Sequence, residues 1–158
     1  MVLTSISISR VLAPSLSATA NQTAAQVALI QAILNNPAGK LSSFVVPGTP
    51  SAPMTVTIYS IPDSPTVVLD NSDMPLLSDG QQYELWVIEV NQQPVNALVF
   101  DGPPKQSTSG NQSLPLSKML VSLPKAMNRY QTLAITIEPH GGSTAPTSKP
   151  ILALPVTP

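Results

Sequence analysis

"YELWVIEVNQQPVNALVFD" spans residues 83–101 and decides the fold class. Its first half, 83–90, reads as a strand: Tyr83, Leu85, Val87 and Glu89 fall on one face, and Glu84, Trp86, Ile88 and Val90 on the other. Neither face is purely polar, so the strand is expected to be central, or covered on both sides. "NQQP" (91–94) reads as a hairpin turn, and "VNALVFD" (95–101) as the antiparallel return.

Further strands lie outward from this hairpin. "MTVTIYSI" (54–61) alternates, with Met54, Val56, Ile58 and Ser60 on one face and Thr55, Thr57, Tyr59 and Ile61 on the other. "KLSSFVVP" (40–47), "PTVVLDN" (65–71), "QTLAITIEP" (131–139) and "KPILALPV" (149–156) are also strands, the last held to a sheet edge by its flanking prolines. "TPSAP" (49–53) is a stiff link, "GPPKQSTSGNQ" (102–112) a loop and "SLPLS" (113–117) a short edge strand. "KMLVSLPKAMNRY" (118–130) fits a strand or a helical turn. Asp79-Gly80 is a strong turn signal. The one helix is 21–36: Asn21 caps it, Ala24, Val27, Ile30, Ile33 and Leu34 form its stripe, and Asn35-Asn36-Pro37 and Gly39 end it. The expected architecture is an all-β, antiparallel β-sandwich of six to eight short strands with one N-terminal helix. Residues 1–20 are expected as a disordered or juxtamembrane arm and 21–158 as the domain.

Charged residues make up only 9% of the chain, against about 25% in ordinary globular proteins. The seven basic residues are scattered and the formal net charge is -1. That excludes the clustered Lys and Arg on which nucleic-acid binding and docking to anionic membranes depend. With no cysteine there is no disulfide and no Cys-based zinc site. Low charge with abundant Ser, Thr and Pro favours an extracytoplasmic setting. No apolar run approaches the roughly 20 residues of a spanning helix. Ala18-Thr19-Ala20 has the small residues of a leader-cleavage site, but Ser5, Ser7, Ser9, Pro14 and Ser15 interrupt the apolar stretch before it.

Candidate chemistry is sparse. Glu138, His140 and Ser143 stand close together in "EPHGGS", and a carboxylate, an imidazole and a hydroxyl are the parts of a nucleophilic triad. The serine carries no G-x-S-x-G elbow, however, and triads are assembled by folding rather than by neighbouring positions. The stretch reads as a polar turn after a strand. Asp70, Asp73 and Asp79 lack the spacing and the closing Glu of a calcium loop. Glu84 and Glu138 lie on strands, but nothing in the sequence pairs them for glycoside chemistry. "GGST" (141–144) lacks the lysine of a phosphate loop. Trp86 reads as a core anchor. Asn21-Gln22-Thr23 and Asn111-Gln112-Ser113 match the glycosylation sequon.

Two segments together carry a family resemblance. Residues 77–101 hold Tyr83, Leu85 and Trp86 on a strand, then a turn and a strand ending near Phe100. Residues 133–153 hold Glu138, Pro139, Gly141, Gly142, Ser143, Pro146, Thr147 and Pro150 in order, then Ile151-Leu152-Ala153. This pattern resembles the C-terminal domain of the bacterial anti-sigma-K factor family, over roughly residues 22–156. His140 falls at a position the pattern leaves variable.

The resemblance implies the extracytoplasmic regulatory or sensory domain of a transmembrane anti-sigma factor. Such a domain controls sigma-factor release through regulated proteolysis and is not an enzyme. The sigma factor would be a partner only through a cytoplasmic domain that this chain does not contain, and a membrane-associated protease would be the other. The expected location is the outer side of a bacterial membrane, in the periplasm or at the cell surface, on a tether likewise outside this chain. No cofactor, metal or nucleic acid is implied, and no ligand is indicated. The alternative is a freestanding secreted β-sandwich that binds or adheres; a hydrolase built on Glu138 and His140 is a third reading.

Overall fold

The computed structural model describes residues 13–46, 54–102 and 118–156. One helix, α1 (Ala13–Leu34), precedes eight strands: β1 (Lys40–Val46), β2 (Met54–Ser60), β3 (Thr66–Asp70), β4 (Gln81–Ile88), β5 (Val95–Phe100), β6 (Lys118–Ser122), β7 (Thr132–Pro139) and β8 (Leu152–Pro155). A 3-10 turn, Met127–Arg129, lies between β6 and β7. The strands form two sheets, ordered β1-β2-β3-β6 and β5-β4-β7-β8, with every pair antiparallel. The expected all-β sandwich is the fold.

The core lies between the sheets. Alternation on β2 and β3 turns Val56, Ile58, Val67 and Leu69 inward, and alternation on β4 and β7 turns Tyr83, Leu85, Val87, Leu133 and Ile135 inward to meet them. Tyr83 stacks on Phe100 of β5, ring centroids 5.5 Å apart. Its hydroxyl donates to the Pro75 carbonyl at 2.9 Å, which satisfies the one polar atom of a fully buried ring. β4 is central, between β5 and β7, and is buried on both faces from Tyr83 to Val87.

The outer face of the first sheet carries α1. Ile30 and Ile33 pack on Val68 of β3, with Leu34, Tyr59, Ile61 and Leu120 around them. Val27 is half-buried and Ala24, though on the same stripe, is exposed. The helix begins at Ala13 rather than near Asn21, so the arm expected over 1–20 is helical from that point. The apolar period marked only the turns that pack, whereas helix formation runs on through Ala-rich sequence, and Pro14 is tolerated within a first turn.

Other boundaries also shift for physical reasons. Residues 118–130 hold both expected forms, a strand and then a helical turn. β4 stops at Ile88, because Asn91 takes φ 58° and Gln92 N–H closes a turn onto the Glu89 carbonyl at 3.1 Å. β8 begins at Leu152, since Pro150 has no N–H for a ladder. The link expected at 49–53, most of the 102–112 loop and the strand expected at 113–117 lie outside the described residues.

One irregularity places a side chain that matters below. Along β4–β5 the register runs Glu84↔Val99, Leu85↔Leu98 and then Trp86↔Asn96, so Ala97 is an extra residue, a bulge. Without it Asn96 would pair with Val87 and face the core. The one-residue slip moves Asn96 to the outer face, beside Glu84 and Trp86.

Candidate functional site

The outer face of an exposed sheet is ordinarily polar and wet. On the second sheet it is polar and dry. β4 sends out Gln82, Glu84 and Trp86; β7 sends out Ala134, Thr136 and Glu138, with Glu84 opposite Thr136 and Gln82 opposite Glu138. Glu84, Trp86 and Thr136 are 0% exposed and Glu138 is 1% exposed. The cover is the segment 140–150, which leaves β7, crosses this face and returns as β8.

The strap's path is set by glycines. His140 N–H donates to the Gly80 carbonyl at 2.9 Å, and Gly142 N–H closes a turn onto the Pro139 carbonyl at 2.9 Å. Gly141 has φ 95° and Gly142 φ 78°, conformations that L side chains rarely adopt. Gly142 also lies close to the sheet: a Cβ there would stand 2.5 Å from Val99 Cγ2 and 3.1 Å from Glu84 Oε2. Gly141 N–H is accepted by Gln82 Oε1 at 2.7 Å.

Two buried carboxylates hold the strap. Glu138 accepts Thr147 N–H at 3.0 and 3.1 Å, the Thr147 hydroxyl, and the Ser143 hydroxyl at 2.9 Å. Thr136 supplies a further hydroxyl to Glu138 and accepts the Trp86 indole N–H at 2.8 Å. A chain of donors therefore runs from the indole through Thr136 to the carboxylate. Glu84 accepts Ser143 N–H at 2.8 Å on one oxygen and the Asn96 amide on the other. Burial raises the Glu138 carboxyl, but the hydrogen bonds from Thr147, Thr136 and Ser143 outweigh it and hold the group down to about 2. Desolvation and donor bonds oppose each other here, and the donors prevail because they converge on the charged form.

This arrangement is unsuited to acid–base chemistry. Glu138 stays ionised and its lone pairs are occupied, so it neither donates a proton readily nor lies open to a substrate. The Ser143 hydroxyl is bonded to Glu138 and not to an imidazole, and His140 is exposed. Glu138, His140 and Ser143 do not form a triad. Glu84 and Glu138, which nothing in the sequence pairs for glycoside chemistry, are joined in the structure through Ser143, its N–H on one and its hydroxyl on the other.

The other motif residues divide by face. Tyr83, Leu85 and Phe100 belong to the core; burial alone pushes the Tyr83 hydroxyl up to about 12. Trp86, Glu138, Gly142, Ser143 and Thr147 build the clasp. Pro139 ends β7, Gly141 opens the turn, Pro146 is half-buried and Pro150 exposed. Sequence reasoning missed Glu84, Asn96 and Thr136 as partners. The available signal was Glu84 itself, a charge in the middle of a strand otherwise read as central, which requires donors from some other element. Asp70 holds Lys118 across the β3–β6 ladder and accepts Ser72 N–H at 3.1 Å, while Asp73 and Asp79 are exposed. Among the described residues no three potential ligands cluster for a metal, and no helix is long and apolar enough to cross a membrane.

A family model described as "Anti-sigma-K factor rskA, C-terminal" matches residues 2–151. No curated protein and no solved structure matches the chain.

Proposed function

The chain belongs to the family of anti-sigma-K factor C-terminal domains, and from that premise we propose that it is the extracytoplasmic regulatory domain of a transmembrane anti-sigma factor. In this reading the sandwich folds outside the membrane and governs protease access to the segment that joins it to the membrane. A folded domain shields the cleavage site and local opening exposes it. The sigma factor is held by a different, cytoplasmic domain, and its release follows cleavage. The observation that carries the reading is the match across nearly the whole chain. The clasp agrees with a non-catalytic role, since its carboxylates are already bonded to the chain's own donors.

The test uses the full-length protein that carries this domain. Trp86→Ala should destabilise the domain and raise transcription from promoters that depend on the cognate sigma factor. Unchanged transcription, with the domain shown to be unfolded or weakened, would sink the reading.

A further inference from the structure

The strap is attached to the sandwich almost wholly by polar contacts. No buried apolar residue lies between Ile135 and Leu152. Beyond the clasp, the segment continues into β8, which pairs with β7 along four positions only, Thr132↔Pro155 to Ile135↔Leu152. Ile151 N–H and Val156 N–H extend that attachment, bonding the Ile135 and Gln131 carbonyls at 2.8 Å each. Where β8 faces the first sheet, a cleft separates Ser42, Ile58 and Ser60 from Leu154, Pro155 and Val156. The segment thus has a glycine pair at its start, a hydrogen-bonded latch in its middle, and an edge strand beside a cleft at its end.

We propose that residues 141–156 open as one unit, released by breaking the bonds of Glu84 and Glu138 to the strap, while β1–β7 stay folded. The sequence of events follows from the connections. Ser143 and Thr147 leave the two carboxylates together, because Ser143 bridges both and Thr147 shares Glu138 with it. The strap then no longer aligns β8 on β7, and the strand is left with four ladder positions and the buried side chains of Leu152 and Leu154, too small an attachment beside a cleft to hold it alone. Opening uncovers the backbone edge of β7 and the Trp86–Thr136 face. Gly141 and Gly142 act as the hinge, since they absorb backbone rotation that other residues resist, and His140 stays anchored on Gly80.

Native-state hydrogen exchange on the 158-residue chain tests this. Glu138→Gln places an amide N–H where only acceptors fit. It should raise exchange of the Ser143, Thr147, Ile151 and Val156 amides together, by about tenfold or more, with the β2–β3 ladder unchanged. Limited proteolysis of the same variant should cut first within 143–150. Thr147→Val and Ser143→Ala keep the Glu138 charge and remove one hydroxyl each, so they carry the test if the first variant does not fold; the same four amides should respond, less strongly. Ile33→Ala, on the far side of the molecule, should leave those amides protected relative to the helix. Equal acceleration across both sheets, acceleration of Ser143 and Thr147 without Ile151 and Val156, or no acceleration in a folded variant would each overturn the proposal.

Discussion

The two sheets are covered on their outer faces by opposite chemistries. The first sheet carries α1, held by Ile30 and Ile33 on Val68. The second carries the strap, held by Glu84 and Glu138 through Ser143 and Thr147. Apolar cover is non-directional and scales with area, so a helix can shift or lose a methyl group and still adhere. Polar cover over buried carboxylates is directional: satisfied it fixes one geometry, and broken it leaves charges in a dry place. One face tolerates change by degrees and the other behaves more nearly as all or none.

The comparison breaks most visibly at Trp86. The indole is fully buried under the strap and starts the donor chain into Glu138. Trp86→Ala should cost about 3–5 kcal/mol in urea denaturation, from the cavity and from the lost donor to Thr136. Next comes acid. The Glu138 carboxyl sits at about 2 rather than its ordinary 4.5, so its contribution is complete above pH 4.5 and is lost as pH falls towards 2. Over that window the stability lost through this group should be on the order of 2–3 kcal/mol. Asp70 adds to the same acid slope: burial raises it, but Lys118 and Ser72 outweigh that and hold it below the usual range. The difference between wild type and Glu138→Gln therefore isolates the clasp, and a slope that survives the substitution unaltered would refute its assignment to Glu138.

Two smaller changes sharpen the contrast. Ile33→Ala removes apolar cover from the first sheet and should cost about 2 kcal/mol. That loss should be the same at pH 3 and pH 7, since the contact holds no carboxylate and no imidazole. Gly142→Ala puts a methyl group against Val99 and Glu84 at positive φ and should cost about 1–2 kcal/mol. Unlike the helix variant, it should weaken the acid dependence as well, because it displaces the backbone that presents Ser143 to the carboxylates.

The sheets were legible in the sequence for a plain reason. On β2 and β4 the alternation of side chains is local and survives any tertiary arrangement, so Val56, Ile58, Tyr83 and Leu85 declared their faces. The clasp was half legible. "EPHGGS" reads as a polar turn after a strand, and its glycines, Gly141 and Gly142, both have φ > 0 in the structure. What the strap crosses was not readable, because Ser143 and Glu84 are far apart in sequence and meet only after β4 and β7 pair. Asn96 was hidden for a further reason: a bulge reverses its face, and no period of two announces an extra residue. The start of α1 was hidden because helix propensity outlasts the stripe that packs.

His140 separates position in the sequence from position in the structure. It stands between Glu138 and Ser143, both committed to the clasp, and is the only histidine in the chain. It is nevertheless exposed, and among the described residues its recorded bond is made by the backbone N–H, to Gly80. Alanine keeps that N–H. His140→Ala should therefore change stability by less than about 0.5 kcal/mol and leave the exchange of Ser143 and Thr147 as in wild type. Ser143→Ala, three residues on, removes one hydroxyl from Glu138 and should exceed it, at about 1 kcal/mol. If His140→Ala proved the costlier of the two, the clasp would depend on an imidazole contact and the carboxylates would not be its whole basis.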